Sequence, residues 1–211
     1  MDKMAKALVP KATAVNLTDI KTILMKTNRN TQEQLVVEQY CRDHYTSFTV
    51  NRKNQLELVK KYGKAGGRID GLSQELSETM CMIIYNNKLN DKTCRKAETG
   101  DIQSDIDGRI EVKSKSTNTD APGSCGSDQH WDTLNKLDVS GIIEDRIKLW
   151  RLRIKDTDER WDQFKPANKN RDLKLVRPRL NWKKIEEEFK DEIQIIYEGT
   201  FEGIFTQQAT E

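Results

Sequence analysis

Asp101 is followed ten residues later by Glu111-Val112-Lys113, within the stretch GDIQSDIDGRIEVKSKS at residues 100–116. Two carboxylates and a lysine brought to one spot can bind a divalent metal and hold a water for attack on a phosphodiester. Mg2+ takes hard oxygen ligands and usually keeps several waters, so one or two carboxylates suffice. A bound metal lowers the pKa of its water and neutralises charge on a phosphate. A lysine two residues from a ligand carboxylate reaches the attacking water or a phosphate oxygen. The competing reading is a solvated hairpin whose acids and bases only pair with one another.

The elements that must position these groups are a hairpin and the helix before it. RIEVKSKS alternates Ile110 and Val112 with Glu111 and Lys113, as a strand with its charged side chains on one face. DIQ supplies a partner strand, and Asp107-Gly108 is a turn signal. A three-residue loop, Ile106-Asp107-Gly108, pairs Asp105 with Arg109. It sets Asp101 opposite Lys113 and diagonal to Glu111, on the same face. A two-residue loop, Asp107-Gly108, slips Asp101 opposite Ser114 and onto the other face. The chemistry demands the three-residue turn, and it leaves Asp105 and Asp107 at the hairpin tip as poorer ligands. Before the hairpin a helix is expected from Leu72 to about Tyr85, with Leu72, Leu76, Met80, Ile83 and Ile84 on one stripe. Glu75 lies at the edge of that stripe and is an auxiliary candidate, whereas Glu78 is expected to point away.

The rest of the chain sets bounds on this site. Its 211 residues are enough for one good-sized domain. The net charge of +2 hides asymmetry: residues 146–190 carry 15 Lys/Arg against 8 Asp/Glu, whereas the last 21 residues carry five acids and no Lys/Arg. A local basic tract beside a near-neutral whole suits a surface that binds a phosphate backbone. Neither a signal-peptide core nor a membrane-length apolar window is present, so a cytoplasmic protein without membrane contact is expected. Cys41, Cys81, Cys94 and Cys125 are scattered. Cys41 with His44, and Cys125 with His130, are spaced as two-ligand zinc halves; four free thiols in a reduced compartment is the expectation. YGKAGGRIDG at 62–71 lacks the ending of a Walker phosphate loop.

Along the chain, residues 17–44 read as helical and SFTV (47–50) as a short strand. HWDTLNKLD (130–138) reads as a helical turn, and IKLWRLRI (147–154) as a central strand with Leu149, Arg151 and Arg153 on a basic outer face. RDLKLVRPRLNW contains Pro178 and is at best an edge strand. WKKIEEEFKDE is a helix, and IQIIYEGTF a final strand. Strands interleaved with helices argue an α/β or α+β fold. Residues 1–70 form a mainly helical part, and 71–200 the catalytic core, of one domain spanning 1–211.

Helix, hairpin with D-x9-E-V-K, then helix and further strands resembles the PD-(D/E)XK nuclease superfamily, in its restriction-endonuclease branch. GDI…GRIEVKS is similar to the form its core motif takes, with Gly100 where the family name has proline. GSCGSDQHWDTLNKLD resembles the segment that follows, through Ser124, Gly126, Trp131 and Leu137-Asp138. LVRPRLNW resembles a basic segment near the C-terminus. The resemblance implies a restriction-endonuclease-like core, a mixed four- or five-stranded sheet flanked by helices. It also implies Mg2+-dependent cleavage of double-stranded DNA, with Asp101, Glu111 and the Val112 carbonyl on the metal and Lys113 at the attacking water.

Lysines and arginines give DNA affinity through phosphates, and arginine reads guanine. The candidates are Lys115, His130, Arg151, Arg153, Arg177 and Arg179. Any of these arginines, Arg177 and Arg179 included, can instead pair with nearby acids. The leading expectation is a type II restriction endonuclease of prokaryotic or viral origin, a homodimer if its site is palindromic. The alternatives are a structure-specific repair or junction-resolving nuclease and a non-catalytic DNA-binding protein.

Overall fold

A cap starts the first long element. Asn30 accepts the Glu33 amide and Glu33 reaches back to the Asn30 amide, which satisfies orphan donors at a helix start. In the computed structural model, which describes residues 17–66, 70–116, 123–124, 130–164, 179–180 and 182–207, the helices and strands follow in order. They are α1 (Leu17–Leu24), α2 (Thr31–Tyr62), α3 (Gln74–Lys88), β1 (Arg95–Lys96), β2 (Ile102–Ser104), β3 (Gly108–Lys115) and β4 (Gly123–Ser124). After these come β5 (Thr133–Asp138), β6 (Ile147–Leu152), β7 (Arg179–Leu180), α4 (Trp182–Glu188) and β8 (Ile193–Gly199).

Six strands form one mixed sheet in the order β1-β2-β3-β5-β6-β8. β3 and β5 run parallel, and every other neighbouring pair is antiparallel. The mixed sheet flanked by helices is as expected, with six strands instead of four or five. β4 and β7 pair separately.

One face of the sheet packs on α3, α2 and α1 through Ile110, Val112, Leu137, Leu149, Met80, Ile84 and their neighbours. The other carries a second core of Trp131, Leu134, Leu152, Trp161, Trp182, Ile185 and Phe189. Each face is thus sealed by apolar packing, the main stabilising contribution here. α2 runs antiparallel to α3. Arg29, just before α2, donates to the Cys94 carbonyl beyond the end of α3, whereas Arg52 within α2 donates to the Asp70 carbonyl before its start.

Three readings of local structure are corrected. SFTV lies inside α2, where capping and tertiary contact outweigh a four-residue β preference. HWDTLNKLD contains strand β5, buried from Thr133 through Leu137. A parallel-paired central strand covered on both faces loses the alternation by which strands are recognised. The Leu149/Arg151 face of β6 is not an outer basic face: both residues are buried on the α3 side.

Candidate active site

Hairpin β2–β3 pairs Ile102 with Ile110, Gln103 with Arg109 and Ser104 with Gly108. The turn therefore has three residues, Asp105-Ile106-Asp107, with Gly108 as the first strand residue. Ser104 Oγ shapes the turn by accepting the Ile106 and Asp107 amides at 3.0 and 3.1 Å. Gly108 has φ +66°, and a Cβ there would lie 2.4 Å from Asp132 Oδ2, the oxygen that accepts the Arg109 amide. One step beyond Ile102–Ile110, the register sets Asp101 opposite Glu111, two residues from the expected opposition to Lys113. A two-residue slip preserves parity, so Asp101, Glu111 and Lys113 still share a face.

Asp107, placed by the sequence reading at an idle tip, is an anchor. Its buried carboxylate accepts from Tyr85 Oη at 2.8 Å, Arg151 Nη1 at 3.2 Å and Arg153 Nε at 2.5 Å. Burial, then the Asp107 charge, pushes the Tyr85 phenol far up. The tip is thereby tied to α3 and to β6, and the hairpin register with it.

At the other end of the hairpin, β2 stops while β3 continues. The Arg109 and Lys115 carbonyls accept from Asp132 and Val139 on the β5 side, so Ile110, Val112 and Ser114 present their main-chain groups to the β2 side. Past the end of β2, the Val112 amide has no strand partner and donates instead to Asp101 Oδ2 at 2.7 Å. Gln74 Nε2, from the first turn of α3, donates to Asp101 Oδ1 at 2.9 Å. Asp101 is 5% exposed and Glu111 3%. Lys113 Nζ donates to Glu111 Oε1. Burial pushes the Glu111 carboxyl above its ordinary range; Lys113 opposes this and the Asp101 charge adds to it.

The carboxylate that α3 sends to this spot is Glu78. It is buried, and its acidity is weakened first by burial, with Lys96 opposing and Asp101 adding. Lys96 Nζ stands 3.1 Å from Glu78 Oε2, yet that oxygen accepts no hydrogen bond. Glu75, the expected auxiliary, lies beside Tyr40 of α2, whose phenol is pushed up to about 12, first by burial and then by the Glu75 charge. Glu78 is buried, not turned away as expected, because α3 is buried all round from Leu76 to Asn87. The run MCMIIY at 80–85, too wide for one face, is the signal that marks such a helix. Lys136 also went unnoticed. It is the cross-strand partner of Lys113, buried, with Nζ on Glu186 and 4.1 Å from the Trp150 ring centre.

Among the described residues, no three His, Cys, Asp or Glu side chains stand close enough together to hold a metal as they are. What is present suits a hard divalent cation: two buried carboxylates opposed in register, the Asp101 charge disfavouring ionisation of Glu111, beside the carbonyl edge of Val112.

The remaining candidates are dispersed. Lys115 is half-buried, 3.7 Å from Asp138. His130 Nδ1 is 2.8 Å from Asp156, at the hairpin-tip end of β5, away from Lys113. Arg151 and Arg153 both serve Asp107. Arg179 starts β7, its side chain lying outside the described residues, as does Arg177 altogether. Cys41, Cys81 and Cys94 are buried free thiols; Cys125 lies outside the described residues.

A protein-family model, that of the Bsp6I restriction endonuclease, matches residues 40–186, well over half of the chain. The match takes in the hairpin, α3 and every strand of the six-stranded sheet except β8. No curated protein and no solved structure matches.

Proposed function

Since the chain belongs to the Bsp6I restriction endonuclease family, we propose that it is a type II enzyme that hydrolyses double-stranded DNA at a specific sequence, with Mg2+ as cofactor and a PD-(D/E)XK site. The observation that carries this reading is the register opposition of Asp101 and Glu111, both buried, with Lys113 beside Glu111.

Asp101, Glu111 and the Val112 carbonyl hold the metal, which supplies a water of lowered pKa and neutralises phosphate charge. Lys113 carries its proton donors to the attacking water. Glu78 adds a further carboxylate from the α3 side, in the role first sought at Glu75. Gln74 orients Asp101 through its 2.9 Å hydrogen bond. Lys115, Arg177 and Arg179 contact DNA, whereas Arg151 and Arg153 act on it only through the hairpin they hold; His130 is too far along β5 to reach the scissile phosphate. Cleavage leaves 5′-phosphate and 3′-hydroxyl ends. A palindromic site is met by a homodimer, because two-fold DNA symmetry is matched by two-fold protein symmetry. The described residues contain no helix long and apolar enough to cross a membrane, which fits an enzyme working on DNA in the cytoplasm.

Incubating the pure protein with plasmid and Mg2+ should yield discrete bands. Lys113→Ala should abolish them while leaving duplex binding in place. A smear, or bands that persist in excess EDTA, would count against this function.

A further inference from the structure

The last ten residues of α2, 53–62, are largely exposed. α2 is pinned at Arg52, which is 5% exposed and donates to the carbonyls of Asp70 and Ser116. Gln55 adds two hydrogen bonds to Asp70, at 2.7 and 3.0 Å. Asp70 precedes α3, and Ser116 directly follows β3. The pin therefore sits at the end of the molecule where α3 meets Asp101 and the catalytic strand runs out. Beyond Arg52 the helix continues to Tyr62, about 15 Å at 1.5 Å per residue. Over that length only Gln55 and Val59 are even half-buried.

This stretch of helix is basic. Lys53, Lys60 and Lys61 are exposed against a single acid, Glu57. Lys53 and Lys60 lie seven residues apart on one side of the helix. Neither has an ion-pair partner among the described residues, where most other basic side chains of the protein are engaged.

We propose that residues 53–62 of α2 form an arm that grips the DNA backbone beside the cleavage site, with Lys53, Lys60 and Lys61 on phosphates. The proposal rests on the nuclease reading above for the location of that site. Charge selects DNA over a second copy of the chain. In a two-fold pairing through this side of the arm, whether the helices run parallel or antiparallel, lysines would be set against lysines. A duplex offers one negative charge per about 1.7 Å of its axis, so an arm of this length spans several phosphates.

The test is the salt dependence of binding. Full-length protein and the Lys53→Gln/Lys60→Gln/Lys61→Gln variant are titrated into a fluorescent duplex in EDTA over a range of salt. Three lost phosphate contacts should lower the slope of log K against log salt by about 2 to 3. Lys21→Gln on α1 should leave it unchanged. Single variants at Lys53 and Lys60, each expected to lower the slope by about 1, serve if the triple variant fails to fold. An unchanged slope, no DNA binding by the wild type, or a variant that only shifts from dimer to monomer in sedimentation would each overturn the arm. Plasmid cleavage by the wild type is scored separately. Cleavage with an unmoved slope sinks the arm alone; a lowered slope without cleavage sinks the nuclease reading alone.

Discussion

Glu78 and Glu111 are each held above the ordinary glutamate range, foremost by burial. A carboxyl whose folded pKa is raised contributes stability that is complete below its unfolded value and is lost as pH rises through the folded one. These two groups therefore weaken the metal-free fold from about pH 4 upward. Glu78→Gln should raise the melting temperature in EDTA at pH 8, with the gain gone at pH 4, while plasmid cleavage falls. Lys96, partly exposed, can turn to water when its partner is neutralised. A variant that melts earlier at both pH values would rule out this account. That Asp101, Glu111 and Lys113 share one face was legible in the sequence because strand alternation is local. Their pairing was displaced by two residues because Asp107-Gly108 is a strong turn signal, whereas the bonds from Ser104 Oγ that shape the loop one residue earlier depend on tertiary geometry. Glu78 was hidden because a helix buried all round has no outward face for an amphipathic argument to use.

At the scale of elements, the hairpin is held from its tip. Gly108 takes a left-handed φ of +66° and sits against Asp132, so any side chain there opposes both the backbone and a carboxylate that caps the Arg109 amide. Gly108→Ala should destabilise the protein by about 1–3 kcal/mol, the usual range for such backbone strain, as read by urea denaturation. Cleavage should fall further than the loss of folded protein explains, because Asp101 and Glu111 are aligned by this turn. A neutral effect on both would mean that the register is held elsewhere. β5 and the merged α2 show the limit of pattern reading. The former is buried on both faces and loses its alternation, and the latter runs through a β-branched stretch because packing against α3 and the C-terminal segment favours a continued helix.

For the molecule as a whole, the sheet divides two cores, and all four tryptophans report on one of them. Trp131, Trp161 and Trp182 lie in the second core and Trp150 on the same face of the sheet. The α3 side has none among its core residues. Because the strands belong to both cores, unfolding followed by tryptophan fluorescence should coincide with that followed by far-ultraviolet circular dichroism. Phe189→Ala, which empties the centre of the second core, should shift both transitions together by about 3–5 kcal/mol. Transitions that separate would show that the α3 side folds independently. The α+β class was legible from interleaved patterns, but the sixth strand and the division into two cores were not. Both depend on which faces meet, and that is a property of the assembled sheet.

Asp101 has two attachments of different kinds. Its carboxylate is the one proposed for the metal, and it also fills the place of a missing strand by accepting the Val112 amide. Removing it exposes a buried donor, which costs about 1–3 kcal/mol, whereas removing the Lys113 amine leaves every main-chain bond of the sheet intact. The two positions therefore differ in how they can drift over generations. A descendant that keeps DNA binding and sheds cleavage loses Lys113 first, and a surviving aspartate at 101 in such a lineage records the architecture of the sheet and says nothing about activity.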